Sequence, residues 1–419
     1  MLRIGALLSV ACLLIVTAPA RAQAVPAPAQ PGAGPGSGIA PAAGPADLYK
    51  SRPGPFAVTI IDRDWRDQVR DRTVPVRIYL PRRAGAGPSA EHDERHPLIV
   101  FSHGLGANRA MYRYFAEHLA SHGYVVILPS HPGSDTAAMR DRLRQRVGPP
   151  GAAAEPAGEP AAERSPEQPP PRPRRSEPAP VVEENLPPAE LHDAAPADPE
   201  GGQPPARRRA GPVMESIGDP DNLRHRPLDV SFVIDRALAD DATADLVDAG
   251  RIGVAGHSFG AYTALAVGGL TIDLPGNGPA GRGVSFADPR VRAVVAMSPQ
   301  GSGVMGITPG SWRAVAVPVL FLTGTRDYGA GERAAAWRRE GFDAVRGRDA
   351  CLVVITDATH FTFGGARTGV DSRHLDLVRS LAAAFFDAYL RDDAAAARFL
   401  REFAAGKHAD CTAEFRPAP

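Results

Sequence analysis

The sequence predicts an α/β fold, a mostly parallel central sheet with helices on both faces. Three observations carry that expectation. Apolar runs of strand length alternate with helix-length segments through most of the 419 residues. Two of the runs end in glycine-rich turns, Ser102-His103-Gly104-Leu105-Gly106 and Gly256-His257-Ser258-Phe259-Gly260. Two later runs are followed by Asp327 and by His360, so that a serine, an aspartate and a histidine stand in that chain order at strand ends.

Residues 1–22 read as a signal peptide. Met1-Leu2-Arg3 precedes an apolar run from Ile4 to about Ala18, and Ala20-Arg21-Ala22 is a small-x-small cleavage pattern. The run is short for a bilayer span, so no stable membrane span is expected after processing, and a periplasmic or secreted location follows. Residues 23–50 form a flexible leader of Ala, Pro and Gly. The first part of the core, residues 51–140, opens with an antiparallel pair at 56–61 and 74–80, the second alternating apolar and polar side chains. A strand at 98–101 enters the first glycine turn. A helix at 109–122 follows, with Met111, Tyr114, Phe115 and Leu119 on one face, and then a buried strand at 124–129.

Between residues 141 and 213 the character changes. Pro, Ala, Glu and Arg dominate, and Phe, Tyr and Trp are absent. Such a segment cannot bury enough apolar surface to offset its conformational entropy, so a disordered insertion is expected. A neutral loop expansion, a tether to a partner and a lid are all compatible with it. The second part of the core, residues 214–419, resumes with a helix at 228–234, strands at 251–255, 291–297, 318–322 and 351–355, and a last helix at 375–390.

Ser258 lies between a strand and the small-residue helix at 261–267, in a turn tight enough to strain the serine backbone and expose its hydroxyl. Glycines flank it because side chains there would strike the neighbouring strand and helix. His360 would take the serine proton and Asp327 would fix the imidazole tautomer. The exposed N–H groups of the turn at 102–106 suit stabilisation of an oxyanion. Each residue also admits a structural role: Asp327 as a cap, His360 as a packed loop histidine. His103 reads as a brace for its turn, while His131 and His374 are less well placed substitutes for His360. Asp357 is too close in sequence to His360 to orient it. Trp312 and Tyr328 could wall a substrate pocket, and ordinary packing explains them equally well.

With 47 basic and 47 acidic residues the formal net charge is zero, which leaves no global field to attract nucleic acid or an anionic membrane. The chemistry calls for no cofactor and no metal. After processing only Cys351 and Cys411 remain, and in an oxidising compartment a disulfide is expected to join the last strand to the C-terminal tail.

The stretch Ile99-Val100-Phe101-Ser102-His103-Gly104-Leu105-Gly106-Ala107, with Leu119-Ala120-Ser121-His122-Gly123-Tyr124, the serine turn and Thr359-His360-Phe361-Thr362-Phe363, resembles the platelet-activating-factor acetylhydrolase family. It is similar also to the wider dienelactone-hydrolase-like esterases. The resemblance implies an α/β-hydrolase fold and hydrolysis of short-to-medium acyl esters, small or lipid-like, through an acyl-enzyme. It also implies oxyanion donation by the backbone N–H groups of Leu105 and Phe259. One departure stands out. In the animal acetylhydrolases the acid follows the strand after the nucleophile helix, but here that strand ends Met297-Ser298-Pro299, so the acid must come from the next strand end, at Asp327. A serine peptidase or amidase would use the same residues. A non-catalytic scaffold docking through its proline-rich segment would not need all three.

Overall fold

Alternation within the apolar runs decides which side of the sheet each residue serves. In the run at 98–101, Leu98 and Val100 join one buried cluster while Ile99 and Phe101 join another on the opposite side. Val319 and Phe321 separate from Leu320 and Leu322 in the same way. A sheet buried on both faces is the only arrangement that satisfies such runs.

The computed structural model describes residues 48–83, 94–147, 212–329, 333–365 and 370–419. The elements are β1 (Phe56–Asp67), β2 (Arg72–Arg83), β3 (His96–Ser102), α1 (Arg113–Ser121), β4 (Val125–Pro129), α2 (Thr136–Val147), α3 (Pro212–Gly218), α4 (Pro220–Ala237), β5 (Val247–His257), α5 (Phe259–Val267), β6 (Val291–Met297), β7 (Val319–Arg326), α6 (Glu340–Ala344), β8 (Ala350–Thr359), α7 (Ser372–Leu390), α8 (Ala394–Ala405) and β9 (Cys411–Arg416). The described strands form one nine-stranded sheet in the order β1-β2-β4-β3-β5-β6-β7-β8-β9. From β4 to β8 all neighbours are parallel, and β1, β2 and β9 pair antiparallel at the edges. Helices α4 and α5 cover one face through Leu223, Val230, Val233, Tyr262 and Leu265. The other face is covered by α1, α7 and α8, through Phe115, Leu119, Phe385, Phe386 and Leu400. Strand order reverses between β3 and β5, and a crevice at the carboxyl ends of two such strands is where an open α/β sheet can bind a ligand. The two glycine turns follow these two strands.

Four expectations need adjustment. The helix at 375–390 is not the last element: Asp393 caps α8 by accepting from the N–H groups of Ala395 and Ala396 at 2.8 and 3.1 Å, and β9 then closes the sheet edge. That edge pairing rules out the Cys351–Cys411 disulfide. Cys351 stands opposite Phe415, whereas Cys411 stands opposite Ile355, four positions further along β8. Four residues of strand put the two roughly 13 Å apart, against an upper limit of about 7 Å between bridged Cα atoms. Both cysteines are free and buried, and burial pushes each thiol up to about 12.

The folded body also begins earlier than the sequence suggests. Lys50 Nζ lies 2.5 Å from the buried Asp387 of α7, and the Tyr49 hydroxyl donates to the same carboxylate at 2.9 Å. Tyr124 and Arg391 complete its shell, each at 2.7 Å. Finally, α2 carries regular structure through Val147, past the expected boundary at 140. Most of the insertion, the signal peptide and nearly all of the leader lie outside the described residues.

Candidate active site

Strand β5 delivers the chain into the serine turn and α5 leaves it at once. Ser258 sits there with φ 56° and ψ −117°, a left-handed conformation that costs a non-glycine residue roughly 1–3 kcal/mol. Its N–H donates to Met297 C=O at 2.9 Å, which ties the turn to the end of β6. Both glycines of the turn are required. A Cβ on Gly260 would strike the Ser102 carbonyl, and one on Gly256 would strike the Gly260 carbonyl. The resulting serine is half-exposed, with its Oγ 2.9 Å from His360 Nε2.

His360 follows β8. Its Nδ1–H faces Asp327 Oδ1 at 3.1 Å and Ser298 Oγ at 3.1 Å. Asp327, at the end of β7, is fully buried. Its second oxygen accepts from Ser298 Oγ in a short contact and from Thr323 Oγ1 at 2.9 Å. The guanidinium of Arg338, 3% exposed, lies 2.7 Å from Oδ1. Burial alone pushes the Asp327 carboxyl upward, but the His360 hydrogen bond and the Arg338 charge outweigh it and hold the group below the usual carboxylate range.

Beside these groups runs a second chain of hydrogen bonds. Gly104 N–H donates to the Tyr112 hydroxyl at 3.1 Å, Tyr112 O–H donates to His257 Nδ1 at 3.0 Å, and His257 Nε2–H donates to the His360 carbonyl at 2.9 Å. Burial, reinforced by the neighbouring His360, lowers His257 to about 3, so it is neutral and its tautomer is fixed by the two contacts. The chain joins the turn that carries Leu105 to the backbone of His360. Phe259 is the first residue of α5, where an N–H has no intrahelical acceptor.

A further Ser–His–Asp array lies under the first turn. Ser102 O–H meets His131 Nε2 at 2.9 Å, and His131 Nδ1 meets Asp229 Oδ2 at 3.0 Å. All three are fully buried. Arg70 and Arg72 hold Asp229 from one side at 2.7 and 2.9 Å. The fully buried Arg226 donates to Thr263 at 3.0 Å, to Ser134 at 2.8 Å, to Ser102 at 3.2 Å and, in a short contact, to the His103 carbonyl. Burial lowers His131 to about 4, so its contact with Asp229 is a hydrogen bond from a neutral ring and not an ion pair.

The structure thus brings Ser258, His360 and Asp327 together and sets Leu105 and Phe259 on the two turns beside them. His103 braces its turn, accepting at Nε2 from His131 N–H at 3.0 Å. His374 lines a separate cleft of about 630 Å³ with Arg326, Asp357 and Asp410, and none of the Ser258 array is in its walls. Trp312 is 1% exposed against Phe321, whereas Tyr328, next to Asp327, is 62% exposed. Sequence reading missed Ser298 as a partner of the imidazole, and Arg338 altogether. Among the described residues no group of acidic, histidine or cysteine side chains could hold a metal ion.

Comparison with known proteins gives partial matches. The family model for platelet-activating factor acetylhydrolase, isoform II, matches residues 53–150. Platelet-activating factor acetylhydrolase from Bos taurus is 27% identical over 176 residues, 41% of this chain and 32% of the relative. The enzyme of that name from Canis lupus familiaris is 37% identical over 79 residues, 18% and 16% of the two chains, and that from Cavia porcellus 49% over 45 residues, 11% and 10%. The matched stretches span about a third or less of those relatives' length. The sheet order is consistent with an α/β-hydrolase fold, and the matched stretches are similar to platelet-activating factor acetylhydrolases.

Proposed function

We propose that this protein hydrolyses carboxylic esters through an acyl-enzyme on Ser258. The observation that carries the reading is the strained, half-exposed serine whose Oγ lies 2.9 Å from His360 Nε2. His360 takes the hydroxyl proton as Ser258 attacks the carbonyl, then returns it to the leaving alcohol. Asp327 holds the Nδ1–H tautomer and offsets the charge that develops on the ring. The N–H groups of Leu105 and Phe259 receive the tetrahedral oxygen, each worth roughly 3 kcal/mol. Water then repeats the sequence to release the acid.

Short-to-medium acyl esters, including lipid-like ones, are the proposed substrate class, in keeping with the names of the relatives. Export rests on residues 1–22, and N-terminal sequencing of the mature protein tests it. For the activity, p-nitrophenyl acetate, butyrate and octanoate are assayed beside a p-nitroanilide, with a fluorophosphonate as covalent probe. Ester turnover with labelling at Ser258 is expected. Comparable turnover of the anilide would make the protein an amidase, and no labelling with no turnover would leave a binding scaffold.

A further inference from the structure

Arg338 is an arginine inside a site whose chemistry, as proposed above, does not call for one. It comes from the one-turn helix Ala335–Arg339 and is 3% exposed. Nε donates to the Asp327 carbonyl at 2.9 Å and pairs with Oδ1 of the same residue. One terminal nitrogen donates to the Ser298 and Pro299 carbonyls at 2.8 and 2.9 Å, and the other donates to the Tyr328 carbonyl at 3.0 Å. That second nitrogen also lies 3.0 Å from His360 Nδ1. A planar fork with five N–H groups can hold the ends of β6 and β7 against each other in this way, and a lysine cannot.

The charge matters as much as the hydrogen bonds. In an ordinary Ser–His–Asp array the carboxylate faces the imidazole as the nearest unpaired charge. Here Asp327 is already paired with a cation, and that cation stands against the same ring nitrogen. The groups that face His360 are Asp327 at the end of β7, Ser298 at the end of β6, Ser258 and His257 in the serine turn, and Arg338. His257 is neutral, so Asp327 and Arg338 are the two permanent charges among them, of opposite sign.

We propose that Arg338 is a positioning residue that fixes Asp327 against His360. The inference rests on the proposed ester hydrolysis. The ion pair and the backbone bonds hold the acid in line, and their loss lowers turnover without touching a substrate contact.

The test is kcat and KM on p-nitrophenyl butyrate at pH 8 for wild type, R338Q and R338K, with fluorophosphonate labelling of each. In R338Q kcat is expected to fall about 100-fold with KM within about threefold. R338K keeps the charge and loses most of the fork, so kcat is expected to fall at least about tenfold with KM again within about threefold. Wild-type turnover in R338K, or a loss carried by KM and not by kcat, overturns the positioning role even if R338Q fails to fold. Should wild type itself escape labelling at Ser258, the proposed function fails instead.

Discussion

Two Ser–His–Asp arrays lie in one sheet, at Ser258–His360–Asp327 and at Ser102–His131–Asp229, and their hydrogen bonds are almost superposable in length. Hydroxyl to imidazole is 2.9 Å in both, and imidazole to carboxylate is 3.1 Å in one and 3.0 Å in the other. What separates them is backbone and access. Ser258 is held in a strained turn ahead of a helix, and the His360 side chain is 27% exposed. Ser102 is the last residue of a regular strand, its hydroxyl accepts from Arg226, and no atom of its array reaches solvent. On the proposed function, the same three side chains therefore serve reactive chemistry in one place and a brace in the other. Geometry of three groups alone does not identify a nucleophile.

Substitutions can break the comparison. Ser258→Ala is expected to lower kcat by at least about 10⁴-fold and abolish fluorophosphonate labelling, whereas Ser102→Ala should leave kcat within about tenfold and cost about 1–3 kcal/mol of stability through the partners it strands. Labelling at Ser102 would reverse the assignment. Asp327→Asn should reduce kcat by up to about 10⁴-fold, since the amide favours the wrong tautomer. Because Ser298 Oγ already lies 3.1 Å from His360 Nδ1, adding Ser298→Asp to that variant should restore at least tenfold. No recovery would mean that a carboxylate at the end of β6 cannot align with the ring.

Asp229→Asn should act on stability instead, by about 1–3 kcal/mol in chemical denaturation, because it leaves the half-buried Arg70 and Arg72 facing a neutral amide. Its folded fraction should still turn over ester at close to the wild-type rate.

The smallest effect is a pH slope. His131 is lowered to about 4, so between pH 4 and 6.5 the unfolded chain binds a proton there that the native state does not. Stability should fall as pH drops through that window, by up to about 1.4 kcal/mol per unit from this residue. Asp229, lowered to about 2 by His131 and Arg72 against the effect of burial, extends the loss below pH 4 in the same direction. Denaturant midpoints measured across pH 4–7 for wild type and His131→Gln check this, and equal slopes in the two would remove His131 as the source.

Much of this was legible in the sequence. Short continuous apolar runs gave the parallel strands, and the serine turn and strand-end positions picked out three side chains that the fold brings together, Ser258, Asp327 and His360. Arg338 was not legible, since it arrives on a one-turn helix without periodicity, among other arginines. Arg226 and Asp229 left a trace that went unused: they stand at helical spacing among Leu223, Val230 and Val233, on the buried face of α4. Charged groups on an apolar stripe signal a satisfied polar network. The disulfide failed because counting cysteines carries no information on strand register, and β9 escaped because a short edge strand has little pattern to read.

The Lys50–Asp387 contact has a consequence for protein chemistry. Lysine occurs at two positions only, 50 and 407, and Lys407 is exposed. An amine-directed reagent acylates the neutral amine, so a solvent-exposed lysine reacts readily and one held as an ammonium against a carboxylate reacts slowly. The ratio of acylation at the two sites, read by peptide mass spectrometry, is therefore a gauge of whether the segment at 48–50 is docked against α7. With so few competing side-chain amines, that gauge works on the intact chain without introducing a label.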